Sequence, residues 1–289
     1  VGSEMCIRDS YGFEAMLSYG HRWGDFGWDS SFTFSANKNE IVELVKDYVH
    51  PETGKTYNVD KLELKTDEGR GFGKAKFILK EGGTLGDLYT HADLKRDING
   101  NILIDDSGNV TAIDNAGDIK LGSVLPKANL AWNNSFSYKG INAGFLLTAR
   151  LGGIVYSATQ AYLDLYGVSE TSAAARDAGG VWINGRSHVN PQSFYEVVAS
   201  QSGLPTYYTY SATNLRLQEA HIGYTVPRRW LGNVCDINVS LVGRNLWMIY
   251  CKAPFDPEAV ATTNNYYQGI DYFMMPSTRN IGFNIKINF

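Results

Sequence analysis

Charge is scarce in this sequence. Only 19% of its 289 residues are Asp, Glu, Lys or Arg, where a globular chain usually carries about a quarter. Aromatic side chains are not scarce: there are 18 Tyr, 13 Phe and 6 Trp. Intrinsic disorder needs the opposite balance, so it is excluded. Long apolar runs are also missing. No stretch approaches the ~18 consecutive apolar residues of a spanning helix, which excludes a helical membrane protein. A basic excess is missing as well. The net charge of −4 argues against a nucleic-acid partner. Proline is sparse at 8 residues beside 30 Gly, which suits strands and turns rather than collagen or linker.

Cysteine is the last scarcity. Cys6, Cys235 and Cys251 are odd in number and show no metal-ligand spacing. An extended chain between Cys235 and Cys251 would span roughly 50 Å at ~3.3 Å per residue, beyond disulfide reach. A bend in the intervening loop would shorten this, so a disulfide is disfavoured rather than excluded. Residues 1–10, VGSEMCIRDS, have neither the basic start nor the apolar middle of a secretory leader. They also fit no strand pattern, which begins at Tyr11. They are expected to be a non-native or disordered leader; a frayed but genuine N-terminus is the other reading.

What the sequence does have is a period of two. At its end, Ile281, Phe283, Ile285, Ile287 and Phe289 alternate with Asn280, Gly282, Asn284, Lys286 and Asn288. Successive strand side chains point to opposite faces, so one face is apolar and the other polar or small. Ala128, Leu130, Trp132, Asn134, Phe136 and Tyr138 oppose Asn129, Ala131, Asn133, Ser135 and Ser137 in the same way. So do Phe26, Trp28, Phe32 and Phe34 against Asp29, Ser31, Thr33 and Ser35. The runs 141–151 and 237–241 repeat the pattern.

A soluble sandwich also alternates. Two features favour a membrane barrel. The runs 11–20, 26–37, 128–138, 141–151, 211–225, 233–246 and 278–289 are mostly as long as the ~9–11 residues of a tilted membrane strand, where sandwich strands average ~5–6. Their links also take turns in length. Links 21–25, 139–140 and 226–232 are short, and 38–127, 152–210 and 247–277 are long. Outer-membrane barrels have this topology, with tight turns on the periplasmic rim and long loops outside. The link 38–127 has room for another strand pair, for instance near 57–65 and 72–80. Trp23, Tyr138, Tyr224 and Trp230 fall at short turns, and Trp247 and Tyr250 at the long-loop rim, where aromatic girdles form. The expected fold is therefore all-β, an antiparallel transmembrane β-barrel portion with long extracellular loops.

Several segments then match a known family in combination. NLRLQEAHIGYTVP (214–227), INVSLVGRNLW (237–247), DPE (256–258) and PSTRNIGFNIKINF (276–289) resemble the C-terminal end of SusC/RagA-type TonB-linked outer-membrane proteins of Bacteroidota. GFEAMLSYG (12–20) and SFTFSANKNEI (31–41) resemble the mid-barrel pair preceding them. The resemblance covers 11–289 and matches the C-terminal third of such a TonB-dependent receptor. It implies a plugged barrel of about 22 strands, a TonB-contacting segment and a SusD-like lid lipoprotein. It also implies nutrient uptake of oligosaccharides or peptides across the cell outer membrane. The plug, the TonB segment and the earlier strands are expected to lie outside this chain, so contact with the TonB complex would run through them.

The resemblance also makes Phe289, with Phe283, Ile285 and Ile287 behind it, the signal read by the barrel-assembly machinery; an ordinary last strand is the plainer reading. Aromatics crowd the loops. Trp182, Tyr207, Tyr208, Tyr210, Tyr266 and Tyr267 are the ligand candidates, because rings stack on sugar faces and loops on a rigid scaffold suit binding. Such rings also pack the loops' own cores or touch a lid. DINGNILIDDSGNV (97–110) misses the calcium-loop pattern and is expected to be a solvent-facing hairpin. Asp256 and Glu258 read as turn residues. The five histidines lie apart, and no nucleophile motif or phosphate loop occurs. The chain is therefore expected to be no enzyme and to need no cofactor or metal. Asn129, Asn133, Asn238, Ser240, Asn284 and Lys286 are expected to face the lumen. Phe136, Phe145, Leu147, Ile237, Val239, Leu241 and the terminal apolar residues are expected to face lipid. A soluble all-β carbohydrate-binding module, a siderophore receptor and a passive porin remain as alternatives.

Overall fold

The computed structural model describes residues 7–64, 73–185, 187–232, 234–261 and 268–288. Seven long strands form one sheet: β1 (Ile7–Trp23), β2 (Phe26–Glu43), β3 (Ala128–Tyr138), β4 (Ile141–Leu151), β5 (Asn214–Val226), β6 (Asp236–Cys251) and β7 (Asn280–Asn288). They lie in chain order, each antiparallel to the next. Each of the seven expected runs contains one of these strands. β1 starts at Ile7 rather than Tyr11, pairing Asp9 with Glu40 and Ser10 with Asn39. Cys235 and Cys251 are both free thiols.

The strand pair for which the link 38–127 has room does form, but not as part of the wall. Lys61–Glu63 does pair with Ala75–Lys80, but in a separate four-stranded sheet with Asp87–Thr90 and Ile119–Ser123. These strands are too short for the ~9–11 residues a membrane crossing takes. β2 instead pairs directly with β3.

The turn between β3 and β4 shows how sequence sets register. Lys139 and Gly140 carry φ of 45° and 89°, the left-handed pair that a two-residue hairpin of matching twist requires. A Cβ at Gly140 would lie 2.9 Å from the Thr225 carbonyl oxygen, so the glycine also lets β5 approach. Tyr138 and Ile141 are thereby cross-strand partners, and the whole hairpin follows in register.

That register stacks side chains in rows across the strands. One row runs Trp23, Phe26, Tyr138, Ile141, Tyr224, Val239 and Ile285 along the short-turn rim. The next on that face runs His21, Trp28, Phe136, Ala143, Ile222, Leu241 and Phe283. This apolar face is open to the surroundings: Leu17 is 73% exposed and Phe283 78%. Rings ladder across it, with Trp28 stacked on Phe136 at 6.5 Å and Trp132 edge-on to Phe145 at 5.7 Å. The opposite face is polar or small, as in the row Arg22, Gly27, Ser137, Asn142, Gly223, Ser240 and Asn284. No described helix is long and apolar enough to cross a membrane.

The three long links gather at one end into a cap with its own core. Phe77 and Leu88 come from the first link, Tyr156, Phe194 and Leu204 from the second, and Ile270 from the third. A small sheet ties two of the links together: Ile154–Ser157 pairs antiparallel with Thr209–Ser211 and parallel with Ile270–Asp271. Burying such residues stabilises by about 1.5–3 kcal/mol each, which lets these loops hold a fixed shape.

Candidate functional site: the cap and the polar wall beneath it

The cap is built from three short helices, each started by a side-chain cap. Ser157 Oγ accepts from the Gln160 amide at 3.0 Å and opens α1 (Ala158–Leu165). Ser169 accepts from the Ser172 amide at 2.9 Å and opens α2 (Glu170–Asp177). Asn190, with Pro191 in the first helical position, opens α3 (Pro191–Val198). Such caps satisfy amides that the helix itself leaves unpaired. Two buried carboxylates join the pieces. Ser157 Oγ donates to Asp271 at 2.6 Å, tying the second link to the third. Asp164 accepts from Ser169 Oγ and, at 3.0 Å, from the Tyr208 hydroxyl.

The aromatic candidates separate by position. Tyr208 is 2% exposed and packs inside the cap core. Burial, and then the nearby Asp164, push its phenol well above the ordinary tyrosine range. Tyr207 is half-buried against the same core. Tyr210 meets Phe255 edge-on at 5.5 Å, and burial first pushes its phenol up to about 12. Trp182 differs. It sits on the hairpin of Val181–Ile183 and Ser187–Val189, is 61% exposed, and meets the His188 ring edge-on at 3.8 Å. Tyr266, Tyr267 and Phe289 lie outside the described residues. Phe283, Ile285 and Ile287 lie on the apolar face of β7.

The 97–110 stretch forms two successive turns rather than one. The Asp97 carboxylate accepts from the Asn99 and Asn101 amides, each at 2.8 Å. Asp105 accepts from Ser107 and Asn109 at 2.9 and 2.8 Å. Asn184 pins the connection between the turns by hydrogen bonds of 3.0 and 2.8 Å to the Ile102 backbone. The double turn is thereby docked beside the Trp182 hairpin.

Sequence reasoning missed the polar cluster where the cap meets the wall. Arg216, on the polar face of β5, is buried. Its Nη2 donates to Asp256 at 2.7 Å and lies 3.2 Å from Glu258. Asp256 also accepts from Ser277, and Glu258 from Asn214 at 3.3 Å. Asp256 does make the expected turn, accepting from the Glu258 amide at 3.0 Å, but its larger contact is the arginine. Burial raises the Asp256 carboxyl, yet the Ser277 and Arg216 hydrogen bonds outweigh it and hold the group below the usual carboxylate range. The signal was present in the sequence: an arginine in an otherwise uncharged stretch of strand near the long-loop rim needs a partner. The loop that folds in to reach Arg216 identifies the polar face as the one under the cap.

Two indole N–H groups on the apolar face find polar partners there, although the Asn134 Nδ2 stays buried without a hydrogen bond among the described residues. Trp28 Nε1 donates to Asn134 at 3.1 Å and Trp132 Nε1 donates to Ser30 at 3.0 Å. Asn134, read as part of an apolar row, is buried by this arrangement.

No family model matches the chain. It is 25% identical over 289 residues to TonB-dependent receptor P3 of Formosa agariphila, covering 91% of this chain and 27% of that protein. It is 25% identical over 293 residues to TonB-dependent receptor P26 of the same organism, covering 93% of this chain and 28% of that protein. The chain thus spans just over a quarter of the length of these curated relatives. Among solved structures, one of the RagAB peptide transporter aligns over 98% of this chain and 29% of its own, with a TM-score of 0.64 and 17% identity. A closed-closed state of the RagAB peptide importer aligns with a TM-score of 0.63 and 16% identity, covering 98% of this chain and 30% of its own. The chain therefore resembles TonB-dependent receptors in sequence, and its fold is that of the matching part of the RagAB transporter, a TonB-dependent receptor barrel wall.

Proposed function

We propose, from a chain that resembles TonB-dependent receptors along nine-tenths of its length, that it forms part of the wall and outer loops of an outer-membrane importer. The observation that carries this reading is the two-faced sheet. Seven strands expose one continuous apolar face and turn a polar face toward the space beneath the loops. A soluble carbohydrate-binding module would turn that apolar face into a core.

In this reading the apolar face meets outer-membrane lipid and the polar face lines the lumen. Further strands, a plug and a TonB-contacting segment belong to a longer polypeptide, which the greater length of the relatives supports. The TonB complex supplies energy through that segment. The cap faces outward and works with a SusD-like lid lipoprotein to capture oligosaccharides or peptides. Trp182 is the ring best presented for ligand or lid, while Tyr207 and Tyr210 pack against the cap core and Tyr208 braces it. Phe283, Ile285 and Ile287, leading to Phe289, serve the barrel-assembly machinery.

The test is expression of the full-length protein in its native host, followed by fractionation and uptake assays with and without a functional TonB complex. The reading expects the protein in the outer membrane and uptake that stops without TonB. Recovery in a soluble fraction overturns it.

A further inference from the structure

Near the long-loop end, the apolar face of the wall carries a groove of about 820 Å³. It opens where β2 and β3 part. The two strands pair as far as Ser35 and Asn129. Just before β3, Pro126 has no N–H to give a ladder, while β2 runs on with β1 as far as Glu43. Register fixes which face the groove is on. Tyr11 stands opposite Lys38 and Phe13 opposite Ala36. By alternation these four share the face of Leu17 and Phe32, the face read as meeting lipid. They make one bank of the groove. Leu125 and Ile154, at the foot of the cap, make the other.

Two lysines stand at the groove. Lys38 is engaged: its Nζ reaches Glu40 at 3.1 Å and lies 5.6 Å from the centre of the Tyr11 ring. Lys127 is not: it has no ion pair or side-chain hydrogen bond among the described residues. Its stem lies along Gly152, where a Cβ would come 2.9 Å from Lys127 Cγ, so the glycine leaves it that path. The carboxylates of β1 and β2 beside the groove on this face, Asp9 and Glu40, stand opposite each other one step farther out, and Lys38 offsets Glu40. An apolar trough that ends at an unmatched ammonium suits one kind of occupant. It is a lipid, with an acyl chain to lie in the trough and an anion to meet the amine. Lysine suits this place because its stem is apolar and its charged head stays at the interface. The long-loop end selects the outer leaflet, whose lipid is a phosphorylated glycolipid. We infer that the groove seats one lipid A molecule, with an acyl chain between Phe13 and Ile154 and a phosphate on Lys127. The inference rests on the importer reading, which gives this face to lipid, and adds a specific partner on the outer side of the wall.

The full-length receptor, purified in detergent and freed of bound lipid, tests it. Native mass spectrometry counts what it takes up from lipid A, from lipid A lacking its phosphates, and from phosphatidylglycerol. Wild type is compared with Lys127→Gln, with Ala36→Trp, which fills the trough, and with Lys252→Gln, which removes an exposed lysine outside the groove. Wild type and Lys252→Gln are expected to hold one lipid A. Loss of the phosphates, Lys127→Gln and Ala36→Trp are each expected to weaken that binding about tenfold or more. Heat-modifiable mobility on gels checks that each variant is folded, and Lys127→Gln leaves the trough intact should Ala36→Trp misfold. Equal binding of phosphate-free lipid A or of phosphatidylglycerol, retention of no lipid, or undiminished binding in Lys127→Gln each overturns the inference. Failure of the importer reading shows separately, as recovery of the protein in a soluble fraction.

Discussion

Arg216 illustrates how a single residue ties wall to cap. Its guanidinium is buried against Asp256 and Glu258. Removing one partner of such a pair leaves the other charge buried alone, which costs about 3–5 kcal/mol. Arg216→Met is therefore expected to lower the heat-modification midpoint of the full-length receptor and to expose loop 252–261 to protease. An unchanged midpoint would show that the cluster does not hold the cap. The same cluster predicts a pH dependence. The folded Asp256 carboxyl sits below its ordinary range, so its stabilisation is fully present above that range. It is lost as pH falls below about 4 through the lowered folded value. Asp256→Asn should remove this acid sensitivity; a wild-type acid profile in that variant would contradict the assignment. Tyr208→Phe removes a hydrogen bond to the buried Asp164 carboxylate and should cost about 1–3 kcal/mol, measured by the same midpoint.

Elements of the wall were legible because two constraints act together on every residue of a membrane strand. Side chains alternate by geometry, and the two faces meet different media. Ile281 to Ile287 spell this out without interruption, and the structure places them on one face. Where alternation breaks, the sequence alone fell short. β6 continues to Cys251, past the expected end at 246, because Asn245 adopts φ 51° and the register with β5 shifts there. The cap was illegible for a different reason. Its strands are two to six residues long, too short for a period to stand out. Its core is assembled from residues over a hundred positions apart, as Ser157 and Asp271 show. Tyr208 could not be told from Trp182 by sequence, since both are aromatics in one link; only packing separates them. At this scale the account predicts that Ile285→Arg costs about 2–4 kcal/mol, the penalty for a cation at mid-depth on a lipid face. Folding titrations of the full-length receptor into lipid vesicles would read this. A neutral result would reverse the assignment of faces.

At the scale of the whole molecule, the wall has two free edges among its described strands, β1 and β7. Unpaired backbone at such edges is not tolerated in lipid, so the sheet requires further strands to close around its polar face. The cap's three links converge over that face, which puts a rigid, aromatic-bearing surface at one end and short turns ringed by Trp23, Phe26, Tyr138 and Tyr224 at the other. The proposed role in import rests on this one division of space. The measurement that tests it most directly is a spin-label scan of residues 280–288 in the full-length receptor, reconstituted in lipid with its native cysteines replaced. The account predicts that labels at 281, 283, 285 and 287 respond to lipid-soluble oxygen, while those at 280, 282, 284 and 286 respond to a water-soluble paramagnet. Accessibility without a period of two, or aqueous contact on both faces, would contradict it.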